Sequence, residues 1–194
     1  MPPITASSIA EQAFRLMELG PLSSFGDDSP EARDAADLYP TALRAALEAA
    51  DWSFASRQVQ LPEVVLDQGH AAELEMPHAY ALPGDCVVLR DVMTGLRGRW
   101  RLDRRFLRAS VPGPLPVRFT ALVEGEDEMP ATFRLALSYS LAVLLGPRWL
   151  TTHTKLDRLQ RTAEEVMRRA MRTDARMASQ MPALPVDWVR EARL

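Results

Sequence analysis

The stretch Asp51-Trp52-Ser53-Phe54-Ala55 decides the fold. It stands where the Ala-rich run Leu43 to Ala50 gives way to residues of alternating polarity. Two large aromatics flank a small polar residue. Trp52 and Phe54 each have enough apolar surface to pin the last turn of a helix to whatever follows. Helix is therefore expected before this hinge and strand after it.

Upstream, Ser8-x-x-Glu11 has the form of a capping box and opens an apolar series at Ile9, Ala13, Leu16 and Met17. Gly20-Pro21 is the expected stop. Ser29-Pro30-Glu31 supplies a cap, a proline at the first helical position and an acid near the positive end of the dipole. A second helix should run from there through Ala35, Leu38, Leu43, Ala46 and Leu47 to about Ala50, kinked or split by Pro40.

Downstream, Val59-x-Leu61, Cys86 to Val92, Arg99-Trp100-Arg101-Leu102 and Val117-x-Phe119-x-Ala121-x-Val123 have strand character. Pro83-Gly84, Gly95, Gly98 and Pro112-Gly113-Pro114 punctuate them. Helix resumes at Met129-Pro130 with Phe133, Leu137, Leu141, Leu144 and Leu145 on one face, and Gly146-Pro147 is expected to end it. A last helix, from about Thr151 to Arg176, places Leu156, Leu159, Ala163, Val166 and Ala170 on one side. Arg158, Arg161, Glu164, Glu165, Arg168, Arg169 and Arg172 lie on the other. Met181 to Trp188 breaks the pattern and reads as an extended tail.

The expected architecture is α+β and mainly helical: a four-helix core with an inserted small antiparallel β-region and an extended C-terminal tail. Residues 1–55 and 125–178 supply the two parts of the helical core, 56–124 the insertion, and 179–194 a docking tail. Trp52, Phe54 and Phe133 are the expected structural anchors.

With 194 residues and 47% apolar content the chain can bury a real core. No apolar run approaches a membrane span, no secretory signal is visible, and a single cysteine fits a reducing compartment. Cys86 reads as a small hydrophobe in a strand. Charge is uneven along the chain: residues 1–50 carry 8 acids and 3 bases, whereas residues 131–194 carry 6 acids and 11 bases. That layout suits head-to-tail packing of subunits.

Catalytic and metal signatures are not evident. His70, His78 and His153 are scattered and lack zinc-ligand spacing, and there is no P-loop, G-x-S-x-G or G-x-G-x-x-G. No cofactor and no metal are expected. Glu124, Glu126, Asp127 and Glu128 read as acids favoured before a helix start, against a lesser reading as catalytic carboxylates. The run Arg97, Arg99, Arg101, Arg104, Arg105 and Arg108 is dense enough to meet DNA phosphates. A solvated face or a subunit contact is preferred for it.

Several segments taken together in order resemble the head-to-tail adaptor family of tailed phages, whose best-known branch is the tail tubular protein A of short-tailed phages. They are Leu16 to Asp28, Trp52-Ser53-Phe54-Ala55, Tyr80-Ala81-Leu82-Pro83-Gly84-Asp85-Cys86, Trp100, and Asp127-Glu128-Met129-Pro130-x-x-Phe133 before the long charged helix. The resemblance spans about residues 4 to 176. It implies a non-enzymatic virion structural protein of the neck, in a phage or a gene transfer agent, assembled in the host cytoplasm. Such a protein forms a ring, typically dodecameric, under the portal. Its partners are the portal, the tail nozzle or next connector (stopper) protein, its own copies, and double-stranded DNA passing without sequence specificity during packaging and ejection. No membrane is involved.

On this reading the tail residues Met181, Leu184, Val186, Trp188, Arg190, Arg193 and Leu194 dock on the portal, and Arg99, Arg101, Arg104 and Arg105 are subunit or DNA-channel contacts. Two alternatives from other classes stand behind it. One is a small tail-associated cell-wall-lytic enzyme using Glu124 or Glu128 as acid. The other is an Arg-rich DNA-binding regulator.

Overall fold

The computed structural model describes residues 6–20, 28–65, 75–93 and 98–178. Within them the chain is α+β: four helices, a short 3-10 turn and two three-stranded antiparallel sheets. All six strands fall between Ser56 and Ala121, so the sheets separate α1 (Ala6–Leu16) and α2 (Pro30–Glu48) from α3 (Ala131–Trp149) and α4 (His153–Ala178).

The apolar series of α1 buries Ile9, Ala10, Ala13, Phe14 and Met17. Both ends of this helix differ from the sequence expectation. Ser8 lies inside the helix rather than capping it, and its hydroxyl donates to Glu126 on a distant loop. Glu11 bonds Arg15 one turn on, at 2.5 Å. The C-terminus closes at Glu18, not Gly20. Glu18 takes a left-handed conformation (φ 63°). Leu19 N–H returns to Phe14 O and Glu18 N–H to Arg15 O, both at 3.0 Å, which is the Schellman pattern.

The start of α2 is as its sequence predicts. Ser29 Oγ accepts from Ala32 N–H at 3.1 Å, and Pro30 opens the helix. Pro40 does not split it. The carbonyl that Pro40 leaves without a partner belongs to Ala36, and both residues are exposed, so water can satisfy it.

Gly146-Pro147 does not end α3, which continues to Trp149. Gly146 is buried, and a Cβ there would stand 2.6 Å from Leu156 Cδ1 of α4. The glycine lets the two helices approach closely instead of breaking one of them. Trp149 then ties the end of α3 to its neighbours. Its ring meets Phe14 of α1 edge-on at 6.1 Å. Its Nε1–H donates to Asp34 of α2 at 3.0 Å, beside an Arg148–Asp34 ion pair at 2.6 Å.

In the first sheet β6 (Leu115–Ala121) lies between β1 (Ser56–Leu61) and β3 (Cys86–Val92), with Val59 opposite Val117 and Cys86 opposite Ala121. In the second, β5 (Phe106–Ala109) lies between β2 (His78–Ala81) and β4 (Trp100–Asp103). β2 and β5 are additional to the strands that alternation picks out. Each has four residues, too few for a period-2 signal to stand clear. The sheets share one core, built from Leu61, Tyr80, Leu107, Leu115, Val117 and Phe119 among others.

The alternation of β4 misleads in the opposite direction. All four of its residues are exposed, Trp100 and Leu102 at 45% each. β4 is an edge strand, paired only with β5 among the described residues.

Candidate functional site

The hinge at Trp52–Ala55 is where the helices and the sheets meet. Trp52 is buried and its Nε1–H donates to Ala46 O of α2 at 2.8 Å. Its ring stands edge-on to Phe133 of α3, with centroids 4.9 Å apart, and Phe54 lies 4.8 Å from the same Phe133 ring. Edge-to-face aromatic pairs contribute about 0.5–1.5 kcal/mol beyond their burial. Phe54 itself is half-buried.

Between these aromatics, Ser53 opens the 3-10 turn Ser53–Ala55. Its N–H and its hydroxyl both donate to the Asp174 carboxylate, at 2.8 and 2.7 Å. Asp174 is one of only three buried residues in the 26 residues of α4.

Two further residues have partners that no local pattern in the sequence indicates. Arg90, on β3, donates through Nη2 to the carbonyls of Leu47 (3.1 Å), Glu48 (3.1 Å) and Ala50 (2.5 Å). Its Nε–H reaches Thr120 Oγ1 at 2.8 Å. A guanidinium therefore covers the unsatisfied carbonyls at the negative end of α2. Asp51 and Arg118 form an ion pair beside it.

Glu126 is the second. It is buried, not a solvated acid ahead of α3, and its Oε2 accepts from the Ser8 hydroxyl while the Ile9 N–H also donates to the carboxylate. The acid thus serves the first turns of α1 rather than α3. Burial pushes the Glu126 carboxyl up, against the opposing pull of Ser8, Ile9 and Arg134. Burial, with the charge of Glu126 adding to it, holds the Tyr39 phenol up at about 12. Glu124, Asp127 and Glu128 are exposed.

The arginines do not form one basic face. Arg108 is buried on the central strand β5, in register with Arg101 of β4. Arg99 pairs with Glu75 at 3.1 Å. Arg104 sits in the β4–β5 turn at φ 55°, and Arg105 donates to Pro83 O and Gly84 O at 3.0 and 3.3 Å. Arg97 lies outside the described residues. What remains together is an exposed hairpin bearing Arg101, Arg104 and Arg105.

His78 Nδ1 lies 2.8 Å from Glu63 Oε1, His153 is exposed at the start of α4, and His70 is outside the described residues. Burial raises the pKa of the half-buried Cys86 thiol, and neighbouring Asp85 reinforces this, so the thiol stays protonated. Among the described residues no three His, Cys, Asp or Glu side chains converge in a way that could hold a metal ion. No helix among them is long and apolar enough to cross a membrane.

No protein-family model and no curated protein matches this chain. Two surfaces stand out among the described residues. The most extensive is the outer face of α4, where Arg158, Arg161, Glu164, Glu165, Arg168, Arg169 and Arg172 are all exposed. A second is the groove between α2, α3 and α4, about 570 Å³ in volume and lined by Ala42, Val143, Leu144, Ala163 and Met167. Leu144, expected on the buried face of α3, is 39% exposed there. The tail residues Met181, Leu184, Val186, Trp188, Arg190, Arg193 and Leu194 lie outside the described residues.

Proposed function

We propose that the protein is a structural head-to-tail adaptor of a tailed phage or phage-like particle. In this role it forms a ring beneath the portal, continues the DNA channel and offers a platform for the tail. α1 to α4 are then the four-helix core, residues 56–124 the insertion, and residues 179–194 the arm that docks on the portal.

The observation that carries the reading is the exposure of α4. A helix of 26 residues with three buried side chains packs one face on its own domain and leaves the rest of its surface open, which a subunit interface would cover. Its exposed cations complement the acidic first 50 residues of a neighbouring copy. The hairpin carrying Arg101, Arg104 and Arg105 offers a few cations to passing DNA, too few for tight binding.

Two of the segments that resemble the adaptor family fall on the junction. Trp52-Ser53-Phe54-Ala55 and Phe133 are its aromatic cluster, and Met129 is buried in the same core. A joint between helices and sheets suits a part that transmits contact from a portal above to a tail below.

Electron microscopy of the purified protein mixed with the portal of its own genome tests this. Rings stacked coaxially on the portal are expected. Portal particles left bare at saturating protein would overturn the reading.

A further inference from the structure

The two sheets share one core and are joined along one side. There Glu63, just past β1, bridges Tyr80 of β2, and Val64 N–H donates to Ala79 O at 2.8 Å. On the other side, among the described residues, β3 pairs only with β6 and β4 only with β5. A cleft of about 330 Å³ lies there, lined by Cys86 to Leu89 of β3 with Leu82, Leu102, Arg104 and Arg105. We infer that this seam binds an extended acidic segment of a partner protein as an added β-strand along β4.

The core is incomplete along this edge. Trp100 and Leu102 stand directly opposite Ala109 and Leu107 of β5, both buried core residues. Opposed residues share a face, so Trp100 and Leu102 lie on the core side of their sheet. Each is nevertheless 45% exposed. The main chain is open there too. Ser110 N–H donates to Arg99 O at 2.9 Å, so by alternation Trp100 and Leu102 turn their N–H and C=O away from β5. An added strand takes up those groups and covers both side chains.

The charge calls for an acidic occupant. Two guanidiniums and no carboxylate line the cleft. Arg105 donates to the carbonyls of Pro83 and Gly84, which are neutral and do not offset its charge. A segment with apolar residues at alternate positions covers Leu102 and Leu89, and an Asp or Glu near its end meets Arg104 and Arg105. A single chain has two edges to offer, one for β4 and one for β3. The β4 of a second copy already carries β5 on one edge, so it cannot lie between both. The inference stands whether or not the protein is an adaptor.

Selection of a random octapeptide library against the immobilised full chain tests it. Enriched peptides should alternate apolar residues with Asp or Glu. One of them, synthesised and free in solution, should bind at least about tenfold more weakly to Leu102→Asp and to Arg104→Glu. Both positions are exposed, so the variants should keep the parent's melting temperature. Should Leu102→Asp fail to fold, Arg104→Glu decides alone: it should regain affinity for the same peptide with its acids replaced by lysine. Equal binding to the parent and both variants would overturn the inference, as would a selection that yields no peptide or only peptides without acids.

A second readout separates strand addition from side-chain contact. Methylating alternate backbone nitrogens of the selected peptide removes its donors to one edge, and should weaken binding at least about tenfold. Unchanged affinity of every methylated peptide would contradict strand addition. A chain that sediments as a dimer, dissociated by Leu102→Asp, would assign the edge to a second copy and overturn the partner. Retention of random-sequence duplex DNA with no peptide enriched would give the arginines to nucleic acid and overturn it as well.

Discussion

Asp174, near the end of α4, accepts both the N–H and the hydroxyl of Ser53, 121 residues earlier in the chain. One carboxylate thereby fixes the longest helix to the turn from which the first strand departs. Hydrogen bonds to a charged group contribute about 1.5–3 kcal/mol each way they are removed. Asp174→Ala should therefore lower unfolding stability by about 2–3 kcal/mol, measured by urea denaturation. A double-mutant cycle with Ser53→Ala should show coupling of at least about 1 kcal/mol. Additive losses would mean the two side chains act separately.

Trp52 fills the space between Ala46 and Phe133. Trp52→Ala should cost about 3–5 kcal/mol, as large-to-small changes at buried aromatics do. A melting temperature close to that of the parent would contradict the central place given to this ring.

Arg90 covers three carbonyls at the end of α2 from a strand of the first sheet. Arg90→Met keeps the aliphatic stem and removes the donors, so it should destabilise by about 2 kcal/mol. Arg90→Lys should rescue only part of this, since an ammonium cannot span the same set of acceptors. Full rescue by lysine would show that charge alone matters there.

Glu126 gives a pH dependence whose sign follows from its raised pKa. A carboxyl held up by burial favours the fold most when protonated. Its contribution is fully present below the unfolded value of about 4.3 and is lost as pH rises through the folded one. Relative to Glu126→Gln, the parent should therefore lose stability between acid and neutral pH. Ion pairs elsewhere are common to both proteins and cancel in the difference. A difference that stays flat or grows with pH would show that the carboxylate, not the acid, is the favoured form.

Much of this fold is legible locally. Ser29-Pro30 announces α2 because cap and first-turn proline act within four residues. The apolar spacing of α1 and α3 buries the residues it should, apart from Leu16, which is half-buried, and Leu144, which is exposed. What fails is whatever depends on a partner far along the chain. Ser8 looks like a cap until Glu126 arrives from 118 residues away. Gly146-Pro147 looks like punctuation until Leu156 of α4 packs on the glycine. Arg90 and Asp174 look like surface charges, and Arg108 looks like part of a basic face until β5 proves central to its sheet. The aromatics of the hinge stand out in sequence, whereas the polar residues that hold the hinge in place do not.

The adaptor reading is tested most directly by sedimentation velocity of the 21.7 kDa protein, alone and with portal rings of its own genome, with and without residues 181–194. A slow, small species alone is predicted. It should join the portal as a stoichiometric ring and lose that binding on truncation while keeping its melting temperature. A protein that stays small and ignores the portal, with its tail intact, would contradict the account.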